Sequence, residues 1–232
     1  MLTSMCSRYS LTSPHEAVRA TFGASNIEAF PPRYNIAPTQ PVVIVRNGTK
    51  GQRELTLVRW GLIPSWSKDP RKLSTMINAR SETAAEKPSF RGAMRHRRCI
   101  VPADGFYEWT GKTGAKQPHL IHRADGAIMA FAGLWEHWIG ADGSEIETMA
   151  ILTTAANREM ALIHDRMPVL LPAETHEDWL DCRSGRAEFA AGLCRPAPDG
   201  LLVIETVSRA LNNPRNEGPE VQARVPGDLI GL

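Results

Sequence analysis

The chain has 232 residues, 42% hydrophobic and 22% charged, enough for one large domain or two small ones, each with its own core. Its 27 basic and 25 acidic residues leave a formal net charge of +2, which excludes a histone-like polycation and assigns any nucleic-acid binding to a local patch. Four scattered cysteines form no C-x-x-C pair, no apolar leader is visible, and no uncharged run approaches a bilayer span, so the expectation is a cytoplasmic protein with free thiols.

In chain order, the first feature is Ser4-Met5-Cys6-Ser7-Arg8-Tyr9. Free cysteine usually behaves as a small buried hydrophobe. If Met5 is the working start, however, ordinary methionine removal exposes Cys6 with an amine and a thiol on adjacent carbons. Ser13-Pro14-His15-Glu16 reads as a helix start, with Ser13 as cap, Pro14 at the first helical position and Glu16 closing a capping box. Val18 and Phe22 then share a face, and Gly23 ends the helix. Four prolines in 29–41 predict an ordered loop. Residues 41–46 and 54–60 read as strands paired around an Asn47-Gly48 turn.

Short strands follow near 98–101, 105–109, 118–123, 128–135, 147–154, 167–171 and 201–207, with turns at Asp125-Gly126 and Asp142-Gly143. Helices are expected at 81–95 in pieces, at 173–182 and at 186–192. Strands dominate without regular β-α-β alternation, which predicts an α+β single domain with mostly antiparallel sheets in a barrel- or sandwich-like core and short flanking helices. Nothing in the chain demands more than a monomer, and no cofactor is implied. His119 and His122 lack a cysteine or acidic partner at ligand spacing, so no metal is expected.

Four stretches have the residue types for chemistry. In Ile77-Asn78-Ala79-Arg80-Ser81-Glu82, an extended backbone points Asn78 and Arg80 the same way, offering an amide and a phosphate-binding fork; a polar turn before a helix is the plainer reading. In Gly105-Phe106-Tyr107-Glu108-Trp109, a strand puts Phe106 and Glu108 on one face and Tyr107 and Trp109 on the other. If Glu108 faces inward, desolvation raises its pKa and makes it a usable proton donor; if outward, it is a solvated carboxylate. In Ile163-His164-Asp165-Arg166-Met167-Pro168, His164 and Arg166 share a side, and the histidine can move protons near neutral pH; a surface loop with an Asp–Arg pair is the alternative. The fourth is the basic run Arg91, Arg95, His96, Arg97 and Arg98, with Trp60-Gly61-Leu62-Ile63-Pro64-Ser65-Trp66 supplying aromatic and proline faces for bases. Its plainer reading is a solvated helix face plus core tryptophans.

Together these segments resemble the SRAP family, the SOS response-associated peptidase domain that shields abasic sites in single-stranded DNA. The matching stretches are Met5–Tyr9, Arg33-Tyr34-Asn35-Ile36-Ala37-Pro38-Thr39, Trp60–Pro64, Ile77–Arg80, Asp104–Trp109, Ile163–Pro168, and Val207-Ser208 through Gly218-Pro219-Glu220, in the family's order. Residues 5–225 are therefore expected to form one SRAP-like domain, and 1–4 an upstream extension or removable leader. Two departures stand out: Ser7 follows the cysteine where the family usually has glycine, and Ser67 follows Trp66 where a second aromatic is common.

The resemblance implies that Cys6 becomes residue one and closes a thiazolidine on the aldehyde of an open abasic sugar. An α-amine, with pKa about 7.7–8.0, is about one-third neutral at pH 7.5, whereas a lysine is only about one-thousandth neutral. By the same resemblance, Asn78 hydrogen-bonds the reacting end, Glu108 shuttles protons and His164 assists Schiff-base formation. Arg80 and Arg166 clamp phosphates, Trp66 and Pro38 stack on bases, and Asn35 and Arg8 join the DNA-binding set. The implied partner is single-stranded DNA carrying abasic sites, near the nucleoid. A self-processing cysteine peptidase built on Cys6, His164 and Glu108, and a non-covalent single-strand binder, remain as alternatives.

Overall fold

A computed structural model describes residues 6–26, 29–112, 114–183 and 186–225. Residues 1–5, with the expected start at Met5 and the expected leader, lie outside the described residues. In chain order the elements are β1 (Tyr9–Leu11), α1 (His15–Phe22), β2 (Arg33–Ile36), β3 (Pro41–Asn47), β4 (Arg53–Trp60), β5 (Asn78–Arg80), α2 (Ser81–Ala84) and α3 (Arg91–His96). They continue with β6 (Arg98–Ala103), β7 (Gly105–Thr110), β8 (Gln117–Arg123), β9 (Met129–Ile139), β10 (Glu145–Ala155), β11 (Arg166–Pro168), α4 (His176–Leu180), α5 (Ala187–Gly192) and β12 (Leu202–Thr206).

The strands form two sheets. In the larger, β10 pairs with β4, β4 with β3, β3 with β6, β6 with β9 and β9 again with β10. That path returns to its start, so these five strands close into a barrel. All its pairings are antiparallel except β4 with β10. Long β10 runs on past the ring, where Ile151–Thr153 pair in parallel with β5 and Thr153–Ala155 antiparallel with β11. The smaller sheet runs β12-β8-β7-β1-β2, all antiparallel. Its inner face presents Phe106, Ile121 and Ile204 to the core, and Phe106 meets Phe131 of the barrel at 5.9 Å between ring centroids. Its outer face carries Tyr107, covered by Val207, Leu211 and Val221. The α+β, largely antiparallel, barrel-containing single domain read from the sequence is what forms.

Several local expectations are corrected by long-range partners. Ser13 does not cap α1. The Asp104 carboxylate accepts from the Thr12 and Ser13 amides and from both hydroxyls, drawing Ser13 away from the helix. Pro14 takes the cap position, Glu16 pairs with His15 at 3.1 Å instead of closing a capping box, and Gly23 ends the helix at φ 64° as expected. Within 29–41, Arg33–Ile36 is a strand against β1, because the prolines flank this stretch rather than interrupt it. Asn47 ends β3 opposite Arg53, so the turn is a five-residue loop and not a tight Asn-Gly hairpin.

Asp104 ties the segment after β1 to the β6–β7 corner. Asp104→Ala leaves two amides and two hydroxyls without that acceptor, and the expected loss is about 2 kcal/mol in urea unfolding.

Candidate active site

β1 lies beside β7, with Tyr9 opposite Phe106 and the Tyr107 amide donating to the Arg8 carbonyl at 3.0 Å. This pairing carries the chain just before β1 back over the inner face of β7. There the Cys6 nitrogen donates to Glu108 Oε1 at 2.5 Å. Both residues are buried, Cys6 completely and Glu108 to 3% exposure. Alternation along β7 falls as expected, and of the two readings left open the inward one holds: Glu108 faces in and Tyr107 out. Burial, opposed only in part by the Cys6 and Trp109 amides and Lys116, pushes the Glu108 carboxyl up to about 7. Burial first, and then Glu108, raises the Cys6 thiol well above its ordinary range, so the sulfur sits there as a neutral thiol. Cys6 also has φ 46°, a left-handed conformation that costs an L-residue about 1 kcal/mol.

The second group of expected residues is arranged around β10. Asn78 pairs with Ile151 and Arg80 with Thr153 from one side; Pro168 pairs with Thr153 and Arg166 with Ala155 from the other. The Asn78 side-chain oxygen is buried. Arg80 is exposed. His164 Nδ1 lies 3.0 Å from both the Arg166 amide and the Asp165 carboxylate. One nitrogen cannot serve both; the Asp165 carboxylate is 88% exposed, where an ion pair is worth little, so the amide bond to Nδ1 prevails. The two groups are joined through the core: Tyr9 stands edge-on to Trp60 at 5.2 Å, and Trp60 Nε1 donates to the Ile77 carbonyl at 2.9 Å, one residue before Asn78.

The residues expected to meet DNA divide by exposure. Trp66 is 57% exposed at the tip of a loop whose next residue, Ser67, is buried, with its carbonyl taken by Trp138 Nε1. Pro38 is half-buried in a turn held by the Thr39 amide on the Trp60 carbonyl. Asn35, by contrast, is fully buried, and its Nδ2 donates to the carbonyls of Leu211, Asn213 and Asn216 while its oxygen accepts from Arg8. Its side chain faces protein and pins the C-terminal segment under Arg8. Arg8 is half-buried, bonded to Asn35 and Leu211 and lying 6.0 Å from the Trp109 ring centre.

The basic run needs correction. Arg98 is buried and Arg97 is paired with the buried carboxylate of Glu136, which leaves Arg91, Arg95 and His96 exposed. Trp60 is core, not an exposed stacking face. Sequence reading also gave no role to Glu82 or Thr153, which hold Arg166. For Glu82 the available signal was its place two residues after Arg80. Nor did it find Gln222, which donates to Tyr107 and Ser10 and closes the outer face of the smaller sheet. Among the described residues no cluster of three or more His, Cys, Asp and Glu side chains is placed to hold a metal, and no helix is long and apolar enough to cross a membrane.

The family model for SOS response associated peptidase matches residues 5–214. The abasic site processing protein YoqW of Bacillus subtilis is 39% identical over 224 residues, covering 94% of this chain and 98% of YoqW. The abasic site processing protein HMCES of Gallus gallus is 34% identical over 222 residues, covering 82% of this chain and 66% of HMCES. A crystal structure of a protein from Bacteroides thetaiotaomicron superposes with a TM-score of 0.84 at 27% identity, over 95% of this chain and all of that one. The chain belongs to the SRAP, or SOS response associated peptidase, family.

Proposed function

We propose that the protein senses abasic sites in single-stranded DNA and shields them by covalent capture through Cys6, once Cys6 is the first residue. The observation that carries this reading is the Cys6 nitrogen resting on the carboxylate of Glu108. That nitrogen is an amide in the chain described here, and it stands in for the terminal amine. A carboxyl near 7 can take a proton from the amine and return it within the working pH range. The left-handed strain at Cys6 also disappears when residue 5 is gone, because a terminal residue has no φ to hold. The relatives named as abasic site processing proteins support the same substrate.

The steps follow from the groups present. The neutral amine adds to the aldehyde carbon of the ring-opened sugar to give a carbinolamine. Protonation of its hydroxyl by Glu108 or His164 releases water and leaves an iminium, which gives its N–H proton back to the same group to become the imine. The thiol then adds to the same carbon and its proton passes to the nitrogen, so a carbon–sulfur bond closes the five-membered thiazolidine. Asn78 is assigned to hold the reacting end, Arg80 and Arg166 to hold the flanking phosphates, and Trp66 and Pro38 to stack on neighbouring bases. Arg8 is assigned to the DNA-binding set as well, with Asn35 as its support. A general cysteine peptidase is disfavoured because burial holds the thiol neutral, whereas a peptidase nucleophile needs a lowered pKa.

The test uses two versions, one starting at Cys6 and one retaining Met1–Ser4, mixed with single-stranded DNA carrying one abasic site and run on a denaturing gel. A retained band from the Cys6 version alone is expected. Bands from both, with intact mass showing that the longer version is still unprocessed, would assign the bond to another nucleophile. No band from either would return the reading to a plain binder or a peptidase.

A further inference from the structure

Arg166 is one of two guanidinium groups assigned to phosphate, yet its own hydrogen bonds are already largely committed. At the end of its fork, Nη1 donates to Glu82 Oε1 at 3.0 Å and Nη2 to Glu82 Oε2 at 2.8 Å. Along its side, Nη2 donates to the Thr153 carbonyl at 2.6 Å and Nε to Thr153 Oγ1 at 3.4 Å. A guanidinium has five hydrogens, and these bonds use the end edge and the Nε edge. The second Nη1 hydrogen lies on the third edge. The Arg166 side chain is only 17% exposed, while its partner Glu82 is 49% exposed. Arg80 pairs through its backbone with the same Thr153, from the side of β10 opposite Arg166. Arg166 first, and Arg80 as well, hold the Glu82 carboxyl below the usual range, which places this anion in the field of both.

We propose that Glu82 is a positioning residue for DNA capture: it grips the end of the Arg166 fork while Thr153 holds the side, so that one Nη1 hydrogen is presented to a phosphate. The proposal rests on the DNA-capture reading above and deepens it. Bidentate carboxylate pairing fixes both the plane and the rotation of a guanidinium, which a lone phosphate contact does not. Glu82 also offsets the repulsion between Arg80 and Arg166, so that both can stand beside one strand of DNA. The alternative is opposite in sign. If Glu82 merely occupied the place of a phosphate, removing its charge would free Arg166 and tighten binding.

The experiment measures affinity for single-stranded DNA carrying a tetrahydrofuran abasic mimic, which cannot form an imine, and separately the capture of a true abasic site. Glu82→Gln is expected to weaken binding about tenfold, the worth of a lost charge-assisted bond. The DNA concentration for half-maximal capture should rise equally, with the maximal rate kept within about twofold, because uniform binding is what is lost. Glu82→Asp should recover part of the loss, and Glu82→Gln made in an Arg166→Gln background should add nothing. Tighter binding by Glu82→Gln, or an undiminished effect without Arg166, would overturn the proposal. Melting temperatures are taken for each variant. If Glu82→Gln folds poorly, Glu82→Asp decides: weaker binding at an unchanged melting temperature supports positioning, and unchanged binding overturns it. Failure of the capture reading itself looks different, because the wild-type protein would then form no denaturant-resistant band whatever Glu82 does to affinity for the mimic.

Discussion

Glu108→Gln is expected to slow covalent capture by about a hundredfold or more while making the folded chain more stable above neutral pH. The two effects share one cause. Glu108 is buried on the inner face of the smaller sheet, with the Cys6 nitrogen on one oxygen, and burial lifts its carboxyl from 4.5 to about 7. Between those values the folded state holds a proton that the unfolded state has released, so stability falls as pH rises. The contribution is fully present below 4.5 and is lost once pH passes about 7. The shift corresponds to about 3 kcal/mol, and glutamine, which does not titrate, should abolish that dependence. Urea unfolding of the full chain at pH 5 and pH 8 reads most of it: the wild type should lose about 2.5 kcal/mol more than the variant between the two. Capture is measured on the version beginning at Cys6. Its rise with pH reports the amine and Glu108 as a coupled pair, and the part owed to Glu108 should vanish in the variant. Wild-type rates with an unchanged pH profile would remove Glu108 from proton transfer. A steep pH dependence of stability surviving in Glu108→Gln would mean that other groups carry the titration.

How much of this was legible in sequence depended on the range of the interaction. Strict alternation along Phe106, Tyr107, Glu108 and Trp109 was enough to place the carboxylate on the opposite face from Tyr107, because a strand leaves only two sides. Once inward, its raised pKa followed from burial alone. The pairing of β3 with β4 was equally local in pattern, and only the loop between them came out longer. What could not be read was anything settled by a distant partner. Arg33–Ile36 became a strand because β1 lies beside it. Ser13 lost its cap to Asp104, 91 residues away. Asn35 carries the residue type of a DNA contact, but three carbonyls from the C-terminal segment claim its amide, the farthest 181 residues along the chain. The family motifs identified the family from a set of segments taken in order. Which member of each segment is exposed, and which is buried against protein, was decided by packing that no window of sequence reports.

Arg98 is the clearest case of that distinction, and Arg98→Met is expected to cost about 4 kcal/mol and lower the melting temperature by about 10 °C. In sequence it belongs to a basic run that suggests phosphate tracking. In the fold it is 1% exposed at the start of β6. Its Nη1 donates to the Met94 and Arg95 carbonyls in the last turn of α3, its Nε to the Trp179 carbonyl near the end of α4, and its Nη2 to Asp181 just beyond. Helix C-termini leave carbonyls without intrahelical partners and carry partial negative charge, so one guanidinium here satisfies two helix ends at once. Trp179 completes the arrangement, with its ring centre 5.7 Å from the Arg98 guanidinium and its own Nε1 donating to the Cys99 carbonyl. Methionine fills much of the volume but leaves those carbonyls buried and unpaired, which is the expensive outcome. The control is Arg95→Ala, on the exposed side of the same helix, which should stay within about 0.5 kcal/mol of wild type. The competing expectation is a phosphate contact. It predicts a normal melting temperature for Arg98→Met and a salt dependence of single-strand binding reduced by about 0.7 in logarithmic slope. A variant that melts early while the slope stays unchanged assigns Arg98 to the fold and confines the DNA-facing charge to residues that reach solvent, Arg80 foremost among them.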